Sequence, residues 1–316
     1  MKELGGYFSL EQLPEHPYYP TLVALNSARN ALEYVCRAKY IKRLLLPYYL
    51  CDVLARMCDE RHIETAYYHV GRDFLPAPDT RLGQEDWLLV VNYYGQLDHP
   101  AIRALKSRFG RVIVDNTDAF FAQPCDDIDT LYSCRKFFGV ADGAYLATNT
   151  LLDETLPIAH SADRMAHLLG RMEYDGASYF TAFQHNDDSL CSLPMQQMSR
   201  ITQNILGAID YESVIARRNA NYAALARRLD ASNGLRLNVP VGPFAYPYYC
   251  ENAPQYRKAL IAQKMYIPLL WPNVLALENC DAEKDLAQNI LPLPCDQRYA
   301  PADMEEMAHA LMAAMG

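Results

Sequence analysis

No apolar run in this chain of 316 residues approaches the roughly 20 needed to cross a bilayer. The first residues, Met1-Lys2-Glu3-Leu4-Gly5-Gly6, lack the basic and apolar regions of a signal peptide, so a cytoplasmic location is expected. Basic blocks are missing too. With a net charge of −9 and no Lys/Arg-rich stretch longer than residues 39–43, the sequence offers neither a nucleic-acid surface nor a polybasic membrane contact. Nine cysteines, an odd number, are scattered without a CxxC or a His/Cys metal spacing; they read as reduced, buried small residues, and no metal is expected. His160 and His167 have no HExxH context, and Ser27, Ser133 and Ser178 lack the glycines of a nucleophile elbow. The acidic pairs Asp126-Asp127 and Asp187-Asp188 read as solvated loop residues. No internal repeat is visible.

What the chain does have is apolar content, 51% of its residues, enough for one large or two moderate domains. Leu44-Leu45-Leu46-Pro47, Trp87-Leu88-Leu89-Val90-Val91, Val112-Ile113-Val114-Asp115 and Ala144-Tyr145-Leu146 alternate with helical patterns. This predicts an α/β architecture whose mostly parallel sheet is buried on both faces. Asn26 or Ser27 is placed to cap a helix opening with Leu32 and Val35, and such a helix start can hold a phosphate. A long helix is expected over residues 199–229, with Arg217, Arg218, Arg227 and Arg228 mostly solvated. Residues 235–241, 244–249 and a terminal helix over 301–315 suggest a small α+β lobe, and residues 186–193 read as the least regular region. The 23 tyrosines are read mainly as packing, with Tyr246, Tyr248, Tyr249 and Trp271 assigned to that lobe. Arg171 and Arg200 default to solvent, although either could meet a substrate anion.

One segment carries chemistry: Tyr132-Ser133-Cys134-Arg135-Lys136-Phe137-Phe138-Gly139-Val140-Ala141-Asp142-Gly143 sets Lys136 among aromatics, 21 residues after Asp115. A lysine beside apolar groups and a second cation loses proton affinity, and the neutral amine attacks carbonyls to form Schiff bases. On its own, Lys136 reads as a solvated loop cation and Asp115 as a turn cap. Asp115, however, ends an apolar strand, which places its carboxylate at the carboxyl edge of an open sheet, where ligands bind.

In this order and spacing, Asn26-Ser27-Ala28-Arg29-Asn30-Ala31-Leu32, Val91-Asn92-Tyr93-Tyr94-Gly95-Gln96, residues 112–120 and residues 131–147 resemble the DegT/DnrJ/EryC1/StrS family of pyridoxal-phosphate-dependent sugar aminotransferases, of fold type I. Arg217-Arg218-Asn219, Tyr222, Leu291-Pro292-Leu293-Pro294 and Tyr299 agree more loosely. The resemblance implies a large cofactor domain with a mixed, mostly parallel sheet between helices, residues 1–206, and a small α+β carboxyl-terminal domain, residues 207–316. It implies pyridoxal 5′-phosphate as cofactor, Lys136 as the catalytic residue holding its aldehyde, and Asp115 on the pyridine nitrogen. Ser133 and the backbone of Ser27, Ala28 and Arg29 are implied at the phosphate, Tyr49 at the ring face, and Asp118 near the phenolic oxygen.

By the same resemblance, an amino group, plausibly from glutamate, goes to a keto sugar, nucleotide-linked, for surface polysaccharide or deoxyaminosugar synthesis, in a homodimer without nucleic-acid or membrane partners. Another pyridoxal-phosphate reaction and a non-catalytic sugar-binding role stay open alternatives. The chain departs from the family pattern at Asp118, where glutamine or histidine is usual, and at Cys51, where the ring-stacking aromatic would fall. Its serine-to-lysine gap is two residues short, and no asparagine motif for a partner's phosphate is evident over residues 190–200.

Overall fold

The computed structural model describes residues 4–316. The first part of the chain runs β1 (Val23–Leu25), α1 (Ala28–Ala38), β2 (Arg43–Pro47), α2 (Asp52–Glu60), β3 (Glu64–Tyr68), β4 (Trp87–Val91), α3 (His99–Phe109), β5 (Val112–Asp115), β6 (Asp129–Ser133) and β7 (Ala144–Ala147). There follow α4 (Ala166–Glu173), α5 (Phe180–Ser192), α6 (Arg200–Gly207), α7 (Tyr211–Leu229), β8 (Ala245–Tyr249), α8 (Ala253–Ala262), α9 (Asp281–Asn289), β9 (Ile290–Pro294) and α10 (Pro301–Met315).

Seven strands form one sheet in the order β1-β7-β6-β5-β4-β2-β3. Only β7 runs against the rest, pairing antiparallel with both β1 and β6. The central strands are apolar on both faces because helices cover both: Leu32 and Val35 of α1, Leu54 and Met57 of α2, and Ile102 and Leu105 of α3 are buried in one cluster with the strand residues. Each such aliphatic side chain contributes about 1.5–3 kcal/mol by leaving water. The α/β class and the mixed, mostly parallel sheet expected from the sequence are therefore present.

A second, two-stranded sheet pairs β8 with β9. Tyr246 and Tyr248 pack there against Tyr222 and Leu225 of α7 and Met304 and Leu311 of α10. Tyr249 ends β8 but turns its side chain into the core of the large sheet, and Trp271 lies in that core too, meeting the Tyr49 ring edge-on with centroids 4.5 Å apart.

Three expectations need correction. The long helix over 199–229 is two helices, because Asp210 accepts the Ser213 N–H at 3.0 Å and starts α7 afresh. Residues 186–193 are not irregular, since most belong to α5; Asn186 and Leu190, four apart, form its buried stripe, and Asn186 donates to the Ala141 carbonyl at 3.0 Å. Residues 235–241 form no strand; Asn238 is tied to Gln96 by its N–H (2.7 Å) and its side-chain amide (3.0 Å).

Candidate active site

The carboxyl ends of β4, β5 and β6 lie side by side, with Val91 opposite Asp115 and Asp115 opposite Leu131. Asp115 is 3% exposed, and its Oδ1 accepts the Thr117 N–H at 2.8 Å. Burial pushes its carboxyl up to about 6, against the pull of the Thr117 N–H and of Lys136. Among the described residues it makes no direct ion pair, since the Lys136 ammonium is bonded to Asp118 instead. Three residues on, Asp118 is 1% exposed, and its Oδ1 pairs with Lys136 Nζ at 2.6 Å while its Oδ2 is buried without a hydrogen-bond partner.

Lys136 is an exposed residue, with 34% of its side chain open to solvent, whose amine is drawn onto the buried Asp118. Its ammonium sits 5.4 Å from the centroid of the Phe244 ring. Burial lowers its proton affinity, but the charge and hydrogen bond of Asp118, helped by Asp115, outweigh burial and hold the amine above its ordinary value. The lowered affinity expected from sequence is thus reversed. The second cation invoked there, Arg135, turns away and pairs with Asp187 of α5 at 2.7 Å.

The loop carrying Lys136 is fixed at both ends. Cys134 N–H donates to the Gly143 carbonyl (3.1 Å), and Gly143 N–H donates to the Asn26 carbonyl (2.9 Å), tying the lysine loop to the start of α1. Gly143 has φ +116°, and a Cβ there would meet Thr202 Cγ2 at 2.9 Å, so a side chain is excluded. Asp142, fully buried, accepts the Ser199 N–H (3.1 Å) and hydroxyl (2.7 Å) and the Thr202 hydroxyl, anchoring α6 to the same loop.

From the small lobe, Arg218 and Gln297 both donate to the Phe137 carbonyl, at 3.1 and 2.8 Å. Arg218 also donates to the Pro243 carbonyl (2.8 Å) and lies over the Phe137 ring. Expected from sequence to be solvated, it is 1% exposed, and burial pushes its guanidinium down to about 10. The helical pattern failed here because the lysine loop covers this face of α7. Arg218→Ala is expected to lower unfolding free energy by about 2–4 kcal/mol, because the Pro243 carbonyl and Gln297 Oε1 lose the guanidinium, the Phe137 carbonyl keeps only Gln297, and a cavity opens. Urea unfolding midpoints measure this.

Neither a protein-family model nor a curated protein sequence matches the chain. Solved structures do. A DegT DnrJ EryC1 StrS aminotransferase from Brucella abortus superposes with a TM-score of 0.63 at 14% identity, covering 93% of this chain and 86% of that one. DesI, solved in the presence of its TDP-sugar product, gives 0.65 at 15% identity over 92% and 80% of the two chains. Spr1654, a putative sugar aminotransferase from Streptococcus pneumoniae solved in its PLP form, gives 0.62 at 15% identity over 93% and 87%. The chain has the fold of these sugar aminotransferases.

Within this aminotransferase fold, the remaining expected site residues are placed as follows. Ser27 caps α1, its Oγ accepting the Asn30 N–H at 3.2 Å, so Ala28 and Arg29 supply the first N–H groups of the helix. The Arg29 guanidinium is turned away to the Leu193 carbonyl, leaving only its backbone for an anion. Ser133 ends β6 opposite Ala144, next to the Gly143 link to Asn26, and is partly open. Tyr49 does not fit a ring-stacking role. It is 1% exposed and enclosed by Tyr93 and Trp271, which leaves no face for a ligand. Cys51, at the start of α2, is near enough to Lys136 and Asp115 for both charges to act on its thiol, and it is the side chain at that place.

Proposed function

We propose that the chain is a pyridoxal-phosphate-dependent aminotransferase acting on a keto sugar. The observation that carries this reading is the convergence of the Lys136 amine with the buried carboxyls of Asp118 and Asp115 at the carboxyl edge of this sheet. The residues fit the cofactor. Asp115 is a buried acid awaiting a cation, Asp118 Oδ2 is an orphaned acceptor, and Ser133 with the α1 start offers hydroxyl and N–H donors for a phosphate. Pyridoxal phosphate, when bound, supplies an electron sink and a carrier for the amino group.

The chain's own residues do the rest. Asp115 keeps a proton on the ring nitrogen through ionic pairing in a buried setting. Lys136 holds the aldehyde and, once released, moves a proton at its Nζ as general base and acid. Asp118 sets how readily that amine gives up its proton. Phe244 presents its ring to the amine, 5.4 Å from its centroid. The keto sugar is read as nucleotide-linked, since DesI is named with a TDP-sugar product. Glutamate as donor, a polysaccharide or deoxyaminosugar pathway, a cytoplasmic homodimer, and a division into residues 1–206 and 207–316 complete the reading. Among the described residues, no helix is long and apolar enough to cross a membrane.

The direct test is to add pyridoxal phosphate to purified protein, reduce with borohydride, and map the modified peptide. Attachment at Lys136, with 2-oxoglutarate formed from glutamate and a keto-sugar nucleotide, is the expected result. Failure to bind the cofactor overturns the reading, and release of carbon dioxide redirects it to decarboxylation. Asp118→Asn provides a finer check. Because Asp118 raises the Lys136 proton affinity, its loss is expected to move the acidic limb of the rate profile to lower pH.

A further inference from the structure

Away from Lys136, three groups with metal-binding chemistry meet where β3 leaves the sheet edge and α9 begins. His69 follows β3; Cys280 precedes the first turn of α9, and Glu283 lies within it. His69 and Glu283 are 214 positions apart in sequence, so no local spacing announces them. One donor atom from each of the three lies within 4.8 Å of the others.

Their bonding leaves the cluster incomplete. Glu283 is fully buried, and its Oε1 accepts the Val70 N–H (2.9 Å) and approaches His69 Nδ1 (3.0 Å). Its Oε2 is buried with no partner. Among the described residues this carboxylate oxygen has no hydrogen-bond partner, which is unfavourable for a buried charge and is relieved by a cation. Cys280 is 1% exposed; its thiol makes no capping bond to α9 and donates to the Glu278 carbonyl at 3.2 Å. The half-exposed His69 ring, with 49% of its side chain in solvent, leaves an entry path, and the Tyr48 ring packs against it with centroids 4.8 Å apart.

We propose that His69, Cys280 and Glu283 bind a zinc-type divalent ion. Thiolate, imidazole and carboxylate together select zinc over magnesium or calcium, which prefer all-oxygen shells. Glu283 Oε2 ligates while Oε1 keeps the Val70 N–H, and solvent takes the fourth position on the His69 side. Bonds of ~2.0–2.3 Å put tetrahedral donors roughly 3.3–3.8 Å apart, and movement of the exposed His69 ring draws the donors together onto the ion. The Cys280 thiol releases its proton to solvent as the metal–sulfur bond forms. The ion ties the edge of the large sheet to α9. This site is separate from the aminotransferase reading and stands or falls without it.

The test uses chelator-treated full-length protein, free of added cofactor, titrated with cobalt(II) and then zinc. One equivalent of cobalt is expected to give a thiolate charge-transfer band in the near ultraviolet, which zinc abolishes while raising Tm. Cys280→Ser removes the band, and His69→Ala, at an exposed position that leaves the fold intact, weakens cobalt binding by about tenfold or more. Absence of the band in the parent protein, its survival in Cys280→Ser, or unchanged affinity in His69→Ala overturns the proposal.

Discussion

Lys136→Ala is expected to abolish borohydride-fixable cofactor attachment and to lower transaminase turnover by about 10³–10⁴-fold or more. The substitution removes the amine that both holds the aldehyde and shuttles the proton, and the proton transfer alone supplies up to about 10⁴-fold. Lys136 is gripped through the neighbouring Phe137 carbonyl and Asp118, so a shorter side chain cannot be replaced by a neighbour. Folding should survive. The ammonium is partly open to water, so its removal empties no core position. Peptide mapping after borohydride, with circular dichroism as a control for folding, separates loss of chemistry from loss of structure. Turnover retained in Lys136→Ala would sink the assignment.

Asp115→Asn is expected to act in opposite directions on stability and on activity. Burial raises the Asp115 carboxyl from its ordinary 3.8 to about 6, so the folded chain binds this proton more tightly than the unfolded chain does. The stability linked to it is complete below about pH 3.8 and is lost as pH rises through about 6. At neutral pH the cofactor-free protein therefore carries a penalty on the order of 3 kcal/mol, the equivalent of about two pH units. An uncharged asparagine escapes it. The cofactor-free variant should gain about 1–3 kcal/mol over the parent at pH 8, and the difference should vanish towards pH 4. Urea unfolding across that range reads the sign directly.

Turnover should fall in the same variant by about 10²–10³-fold, the size seen when one electrostatic stabiliser is removed from a buried site. The cause is that an amide cannot keep the ring nitrogen protonated. Equal stability of parent and variant at pH 8 would show that Asp115 is not held as a buried anion. A stable but inactive variant instead identifies this carboxylate as one kept for ligand binding at the expense of the empty fold.

The sequence by itself determined the frame. Runs such as Val112-Ile113-Val114 are apolar on both faces and can be satisfied only as interior strands, which fixed the α/β class and put Asp115 at a strand end. Ser27 at its helix cap and the terminal helix were legible because capping and periodicity act within a few residues. Two stretches were misread. The break at Asp210 is a local cap that the apolar spacing of Ile201, Ile205 and Ile209 masked, whereas the helix over the polar residues near Asn186 is held by a contact with the lysine loop.

Only the tertiary structure decided the electrostatics and the clamps, because these come from residues far apart in the chain. The proton affinity of Lys136 is set by Asp118, 18 positions away, and not by its neighbour Arg135, which Asp187 neutralises. Tyr49 lost its expected role because Trp271 and Tyr93 close over it, and Arg218 left solvent to hold a carbonyl 81 positions away. A charge in water costs little wherever it stands, but a buried one must be matched by whatever the fold brings within reach, and only long-range packing determines which groups those are.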